Sequence, residues 1–180
     1  MTDTSALETR LRRLEDRDFI RRLAGLYALA MDDRDMNLVA DIFTADAVLT
    51  WKGGSPRYEG REAIVAFYRE RLAPTGPSFH VTHDQIVDWD GQDADKATGL
   101  VLGHAETFSG GRQFVSAIRY EDFYAREDGV WRFAQRTLTF LYQTPVDRYA
   151  GILGTRQRLL AGDAPRDAHW PISKETGTLL

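Results

Sequence analysis

Residues 23–32 read Leu23-Ala-Gly-Leu-Tyr-Ala-Leu-Ala-Met-Asp32: an uncharged stretch that ends in a carboxylate. On a helix such a run is apolar on nearly every side, so it belongs inside a core rather than on an amphipathic surface. Upstream, Ile20, Leu23, Tyr27 and Ala30 recur at helical spacing, as do Leu7, Leu11 and Leu14, with Ser5 placed to cap the start. Downstream, Asp35 opens a short helix expected to run through Phe43, and Ala47 to Trp51 reads as a strand. Lys52-Gly-Gly-Ser-Pro56 makes a loop. A third helix, about Arg61 to Leu72, carries Ile64, Phe67 and Tyr68 on its inner side.

From Ser78 the pattern changes to strands, expected near 78–89, 96–108, 112–126 and 130–143. Asp128-Gly129, between Tyr124 and Trp131, is a strong hairpin signal. Helices followed by a meander of long strands define an α+β fold. Residues 1–145 form the expected domain, and 146–180 an extension with a short helix expected around Ile152 to Leu160. Tails of this kind pack on a neighbour or close a pocket, and the sequence does not decide between the two.

Composition narrows the function. The chain has 180 residues, enough for one domain with its own core, and a net charge of −4. No stripe of Lys or Arg follows a phosphate backbone, so nucleic acid is not an expected partner. The absence of cysteine excludes disulfides, thiolate metal sites and a Cys nucleophile, and fits a cytoplasmic location. No apolar signal core opens the sequence, and no run approaches the ~20 apolar residues that a membrane span needs.

The candidate chemistry is a carboxylate and an imidazole. Asp32 closes the apolar helix, where the helix end carries partial negative charge. Its pKa is expected to rise there unless a cation or hydrogen-bond donor compensates. A competing reading makes Asp32-Asp33-Arg34-Asp35 a solvated turn that caps the next helix. His80 lies in Ser78-Phe-His-Val-Thr-His-Asp-Gln-Ile-Val87, where strand alternation sets it on the face opposite His83. An Asp that orients a His at an apolar pocket is a general-base device. His104, on the next strand, is a candidate second pocket histidine, and Tyr27 a candidate pocket hydroxyl. Asp32, His80 and His104 carry donor types that a divalent metal accepts, but no tight ligand motif accompanies them. Met31, Trp51, Phe67, Tyr68, Phe140 and Tyr142 are expected to line the pocket, and Arg119 to be buried mid-strand with a carboxylate. No nucleophile elbow, phosphate loop, dinucleotide fingerprint or zinc-protease motif is present.

Several motifs together resemble the nuclear transport factor 2-like superfamily, in its SnoaL-like branch, over about residues 8–145. They are Ile20-Arg-Arg-Leu-Ala-Gly-Leu-Tyr27, Asp32 followed by Asp41-Ile-Phe-Thr-Ala-Asp46, Tyr58-Glu-Gly-Arg-Glu-Ala-Ile64, Phe79-His80 and Asp128-Gly-Val-Trp131. The resemblance implies a cone, in which a curved antiparallel sheet wraps a long helix and encloses a deep pocket. Asp32 and His80 look like the Asp–His pair of scytalone dehydratase, bile acid 7α-dehydratase and hexachlorocyclohexane dehydrochlorinase. His104 falls near the second histidine of the first of these, and Tyr27 matches a tyrosine of the second. Met31 and Trp51 stand where scytalone dehydratase has tyrosines.

The resemblance implies a cofactor-independent lyase or isomerase, dehydratase-like, acting on a small hydrophobic cyclic ketone, steroid or polyketide-like molecule. His80 would take the proton next to a carbonyl, Asp32 would hold its tautomer, and Tyr27 or His104 would donate a hydrogen bond. A homodimer or homotrimer is also implied. Two rivals remain open: a polyketide cyclase or ketosteroid isomerase-like enzyme with Asp32 as the base, and a non-catalytic ligand-binding module or subunit.

Overall fold

The computed structural model describes residues 4–170 except 90, 92 and 163, so the end of the extension, 171–180, lies outside the described residues. Helix α1 spans Thr4–Asp32, α2 Met36–Ile42 and α3 Arg61–Leu72. The strands are β1 (Phe43–Trp51), β2 (Arg57–Glu59), β3 (Ser78–Trp89), β4 (Lys96–Ser109), β5 (Arg112–Glu127), β6 (Val130–Pro145), β7 (Gln157–Leu159) and β8 (Arg166–Asp167). The order β2-β1-β6-β5-β4-β3 makes one large curved α+β sheet, with β7 added to β6. Pairing is antiparallel except where β1 and β7 each run parallel to β6.

The second half of α1 is the helix the sequence describes. Ile20, Leu23, Ala24, Tyr27, Ala30 and Met31 are buried in the main core with Phe43, Leu49, Ile64 and Phe133. The first half extends outward, leaving Leu7, Leu11 and Leu14 exposed. Ser5 lies inside α1 rather than at its cap, and its carbonyl accepts a bond from Thr9 Oγ1. Asp35 does cap α2, its carboxylate accepting from the amides of Asn37 and Leu38. That helix ends at Ile42, and Phe43 already belongs to β1, because its backbone joins the sheet beside Phe133.

Asp128 and Gly129 both have positive φ, 51° and 78°, which a two-residue hairpin turn requires. The helix expected over Ile152–Leu160 does not form. A single 3₁₀ turn covers Ile152–Gly154, and Gln157–Leu159 is strand. The cause is an open sheet edge. β1 follows β6 only as far as Trp51 opposite Leu138, and past that point β6 has free backbone groups that the extension pairs with instead.

The inner face of β4 carries Ala97, Gly99, Val101, Gly103 and Ala105. These are small because tyrosines from β5 lie across them. A Cβ on Gly99 would sit 2.7 Å from a ring carbon of Tyr124, and one on Gly103 3.0 Å from a ring carbon of Tyr120. The larger residues of β4, including Leu102 and Phe108, therefore face outward.

Candidate active site

Asp32 and His80 meet. His80 Nδ1 lies 2.6 Å from Asp32 Oδ1, and the His80 backbone N–H donates to Oδ2 at 2.8 Å. Ser78 Oγ–H donates to Oδ1 at 2.9 Å. Two chain features bring this about: α1 stops at Asp32, and β3 starts at Ser78 directly beside that helix end. Both side chains are mostly covered, 17% and 15% exposed.

A cation also stands at the helix end. Arg34 has φ of 60°, which turns the chain back so that its guanidinium donates to the Met31 carbonyl. It further donates to Ser78 Oγ at 2.9 Å and to the Gly76 carbonyl. Arg34, Ser78, Asp32 and His80 thus form one chain of hydrogen bonds. Arg34 also satisfies a helix-terminal carbonyl that would otherwise repel Asp32.

The compensation that Asp32 needs at the helix end is present. Burial pushes the carboxyl up, but the hydrogen bonds and charge of His80, with Ser78, hold it below the usual Asp value. A group whose pKa falls on folding adds stability above its ordinary value of 3.8 and loses it as pH falls through the lower, folded value. Wild type should therefore melt above Asp32→Asn at pH values above 3.8. That difference should shrink as pH drops below 3.8. A difference unchanged down to pH ~2 would contradict the hydrogen-bonded, ionised Asp32.

The His80 ring lines a cavity of about 360 Å³. Nothing among the described residues bonds its Nε2. Tyr27, Met31, Trp51, Phe67, Tyr68 and Phe140 also line the cavity. The Tyr27 and Tyr68 hydroxyls are 2.8 Å apart, and burial raises the pKa of both. Two phenols that share one hydrogen bond keep one O–H to offer elsewhere.

Two expected pocket residues face the other way. Strand pairing sets Ala105 opposite His80 on the cavity side and His104 opposite Val81 on the outer side. There His104 Nδ1 meets His83 Nε2 at 2.8 Å. His104 is accordingly outside the cavity and away from Asp32 and His80. Burial and the nearby His83 lower its pKa. Tyr142 is likewise outside, packed with Ala117, Ile152 and Tyr149 under the extension. Arg119 stacks over Trp170 at 4.7 Å, and among the described residues no carboxylate pairs with it.

The buried ion pair lies elsewhere, in residues the sequence did not single out. Arg136 donates to both oxygens of Asp122, at 2.9 and 2.7 Å, with side chains 1% and 0% exposed. Its guanidinium also lies within 4.3 Å of the ring centres of Tyr27, Tyr120 and Phe133. This network fixes Tyr27 and Tyr120 where they form cavity wall. Of the two roles the sequence left open for the extension, the structure shows a share in the cavity, through Leu159, Ala161, Arg166 and His169. No group of three or more His, Asp or Glu side chains suited to a metal ion occurs among the described residues. Among them, too, no helix is long and apolar enough to cross a membrane.

Comparison with known proteins agrees with this architecture. The γ-hexachlorocyclohexane dehydrochlorinase of Sphingobium indicum is 30% identical over 140 residues, covering 76% of this chain and 87% of its own. A crystal structure of LinA superposes with a TM-score of 0.71 at 27% identity, over 78% of this chain and 95% of that one. A putative scytalone dehydratase from Novosphingobium aromaticivorans shares the fold, with a TM-score of 0.63 at 20% identity over 80% of this chain and 91% of that one. The model of the SnoaL-like domain matches residues 12–137, and the chain belongs to that family.

Proposed function

We propose that the protein is a cofactor-independent lyase that eliminates a small leaving group from a hydrophobic cyclic substrate, with His80 as the base. The observation that carries this is the anchoring of His80 Nδ1 by Asp32 on the wall of a cavity that Trp51, Phe67 and Phe140 help to line. An ionised Asp32 accepts, so Nδ1 holds the proton and Nε2 keeps its lone pair. Nε2 takes a proton from carbon, the C–H electron pair becomes the new double bond, and the leaving group departs with its own bonding pair. Asp32 stabilises the imidazolium so formed. The O–H left over from the Tyr27–Tyr68 pair is suited to a departing hydroxyl. A cavity of about 360 Å³ suits a compact ring system.

The similarity to a dehydrochlorinase makes chloride one leaving group to try, and the dehydratase resemblance makes water the other. Asp32 is a poorer candidate for the base. Its oxygens already accept three hydrogen bonds, and its pKa lies below the usual value.

The experiment is an elimination assay on γ-hexachlorocyclohexane, read as chloride release, and on cyclic β-hydroxy ketones, read as enone absorbance. The wild type is expected to turn over at least one class, with both Asp32→Asn and His80→Gln impaired. Loss in Asp32→Asn alone would make the aspartate the base and overturn the assignment.

A further inference from the structure

The C-terminal extension brings a second histidine to the cavity, and its surroundings set its tautomer. Past Leu138 the outer edge of β6 is no longer covered by β1. The extension takes that edge. Leu160 N–H donates to the Gln143 carbonyl at 2.7 Å, and His169 N–H to the Phe140 carbonyl at 2.9 Å. Arg158, itself buried, ties the segment down by donating to the carbonyls of Leu141, Thr155 and Trp170. The Phe140 backbone N–H then donates to His169 Nδ1 at 2.8 Å.

A backbone N–H can only donate, so Nδ1 must accept, and the ring proton of neutral His169 resides on Nε2. His169 also lines the cavity, and no described residue bonds its Nε2. The two cavity histidines are thus held as opposites. The carboxylate at His80 Nδ1 leaves a lone pair on Nε2, while the amide at His169 Nδ1 leaves a proton there.

We infer that His169 is a substrate-binding residue, a neutral N–H donor that receives a carbonyl or hydroxyl oxygen of an otherwise apolar ring compound. This rests on the cavity being the substrate site. Burial, followed by the Arg166 and Lys52 charges, lowers the pKa of His169, which keeps the ring neutral near pH 7. A neutral donor stabilises charge that develops on oxygen without surrendering its proton. The extension is then part of the binding site, contributing Leu159 as apolar wall and His169 as polar contact.

The test uses the full chain and two probes that differ in one oxygen, 2-tetralone and tetralin. Nitrogen-15 NMR of histidine-labelled protein at neutral pH, assigned with His169→Gln, is expected to show His169 protonated on Nε2 alone. Wild type should bind 2-tetralone more tightly than tetralin by roughly 3- to 10-fold, the scale of one net hydrogen bond. His169→Ala should abolish that preference, and His169→Gln, which keeps an N–H donor, should restore part of it. A proton on Nδ1, a charged ring, or a ketone preference that is absent in wild type or intact in His169→Ala would overturn the inference. Failure of the base mechanism is separately visible, as full turnover in His80→Ala with the ketone preference unchanged.

Discussion

Replacing His80 by alanine is expected to lower the rate of elimination by about 10²-fold or more, the usual contribution of a positioned general base. The loss should fall on the chemical step. Substrate affinity should change little, since the apolar wall, Met31, Trp51, Phe67 and Phe140, stays in place. The fold should also survive. In His80→Ala the backbone N–H of residue 80 still donates to Asp32 Oδ2, and Ser78 still donates to Oδ1. A melting temperature close to wild type together with a collapsed turnover number would separate a chemical role from a structural one. Near-full activity in His80→Ala would end the base assignment.

The second large effect concerns stability. Asp122→Ala is expected to destabilise the protein by about 3–5 kcal/mol, because it leaves the Arg136 charge buried without its carboxylate. For a chain of this size that corresponds to a fall in melting temperature of about 10 °C. The three aromatic rings around Arg136 supply some attraction but no hydrogen-bond acceptor, and its Nη1 already lacks one. The double replacement Asp122→Leu with Arg136→Met should be milder than Asp122→Ala alone, since it removes both charges and keeps the volume. A loss of less than about 1 kcal/mol in Asp122→Ala would show that water reaches Arg136 and that the pair is not the anchor of the cavity floor.

The fold was legible wherever side-chain periodicity and turn chemistry agree. The uncharged run into Asp32 identified the buried helix, and Asp128-Gly129 identified the long hairpin. For Asp32 the sequence left two readings open, a partner for His80 and a solvated turn that caps the next helix. A carboxylate has little reason to close an apolar helix unless a donor waits for it, and strand alternation set His80 apart from His83.

The placement of His104 in the pocket failed on the packing of β4. His104 shares its side with Leu100, Leu102 and Phe108, yet that side is outward because the inner side must leave room for Tyr120 and Tyr124. The Asp122–Arg136 pair was hidden by a register shift. Counting straight back from the Asp128-Gly129 turn opposes Asp122 to Gln135. The irregularity between Phe123 and Tyr124 moves Arg136 into that place instead. In β3 a similar shift between Thr82 and Gln85 turns Gln85, not Asp84, to the inner side, where it donates to Tyr124. The extension was opaque because its structure depends on an edge far away in sequence. Gln157–Leu159 is too short to show a period, and what holds it is the part of β6 that β1 leaves open.

The most direct measurement of the central claim needs no substrate: the tautomer of His80, read by nitrogen-15 NMR at neutral pH in wild type and in Asp32→Asn. The account predicts a proton on Nδ1 and an unprotonated Nε2 in wild type, with that preference weakened or reversed in Asp32→Asn. A proton held on Nε2 in the wild-type protein would leave no lone pair to receive a substrate proton, and would contradict His80 as the base.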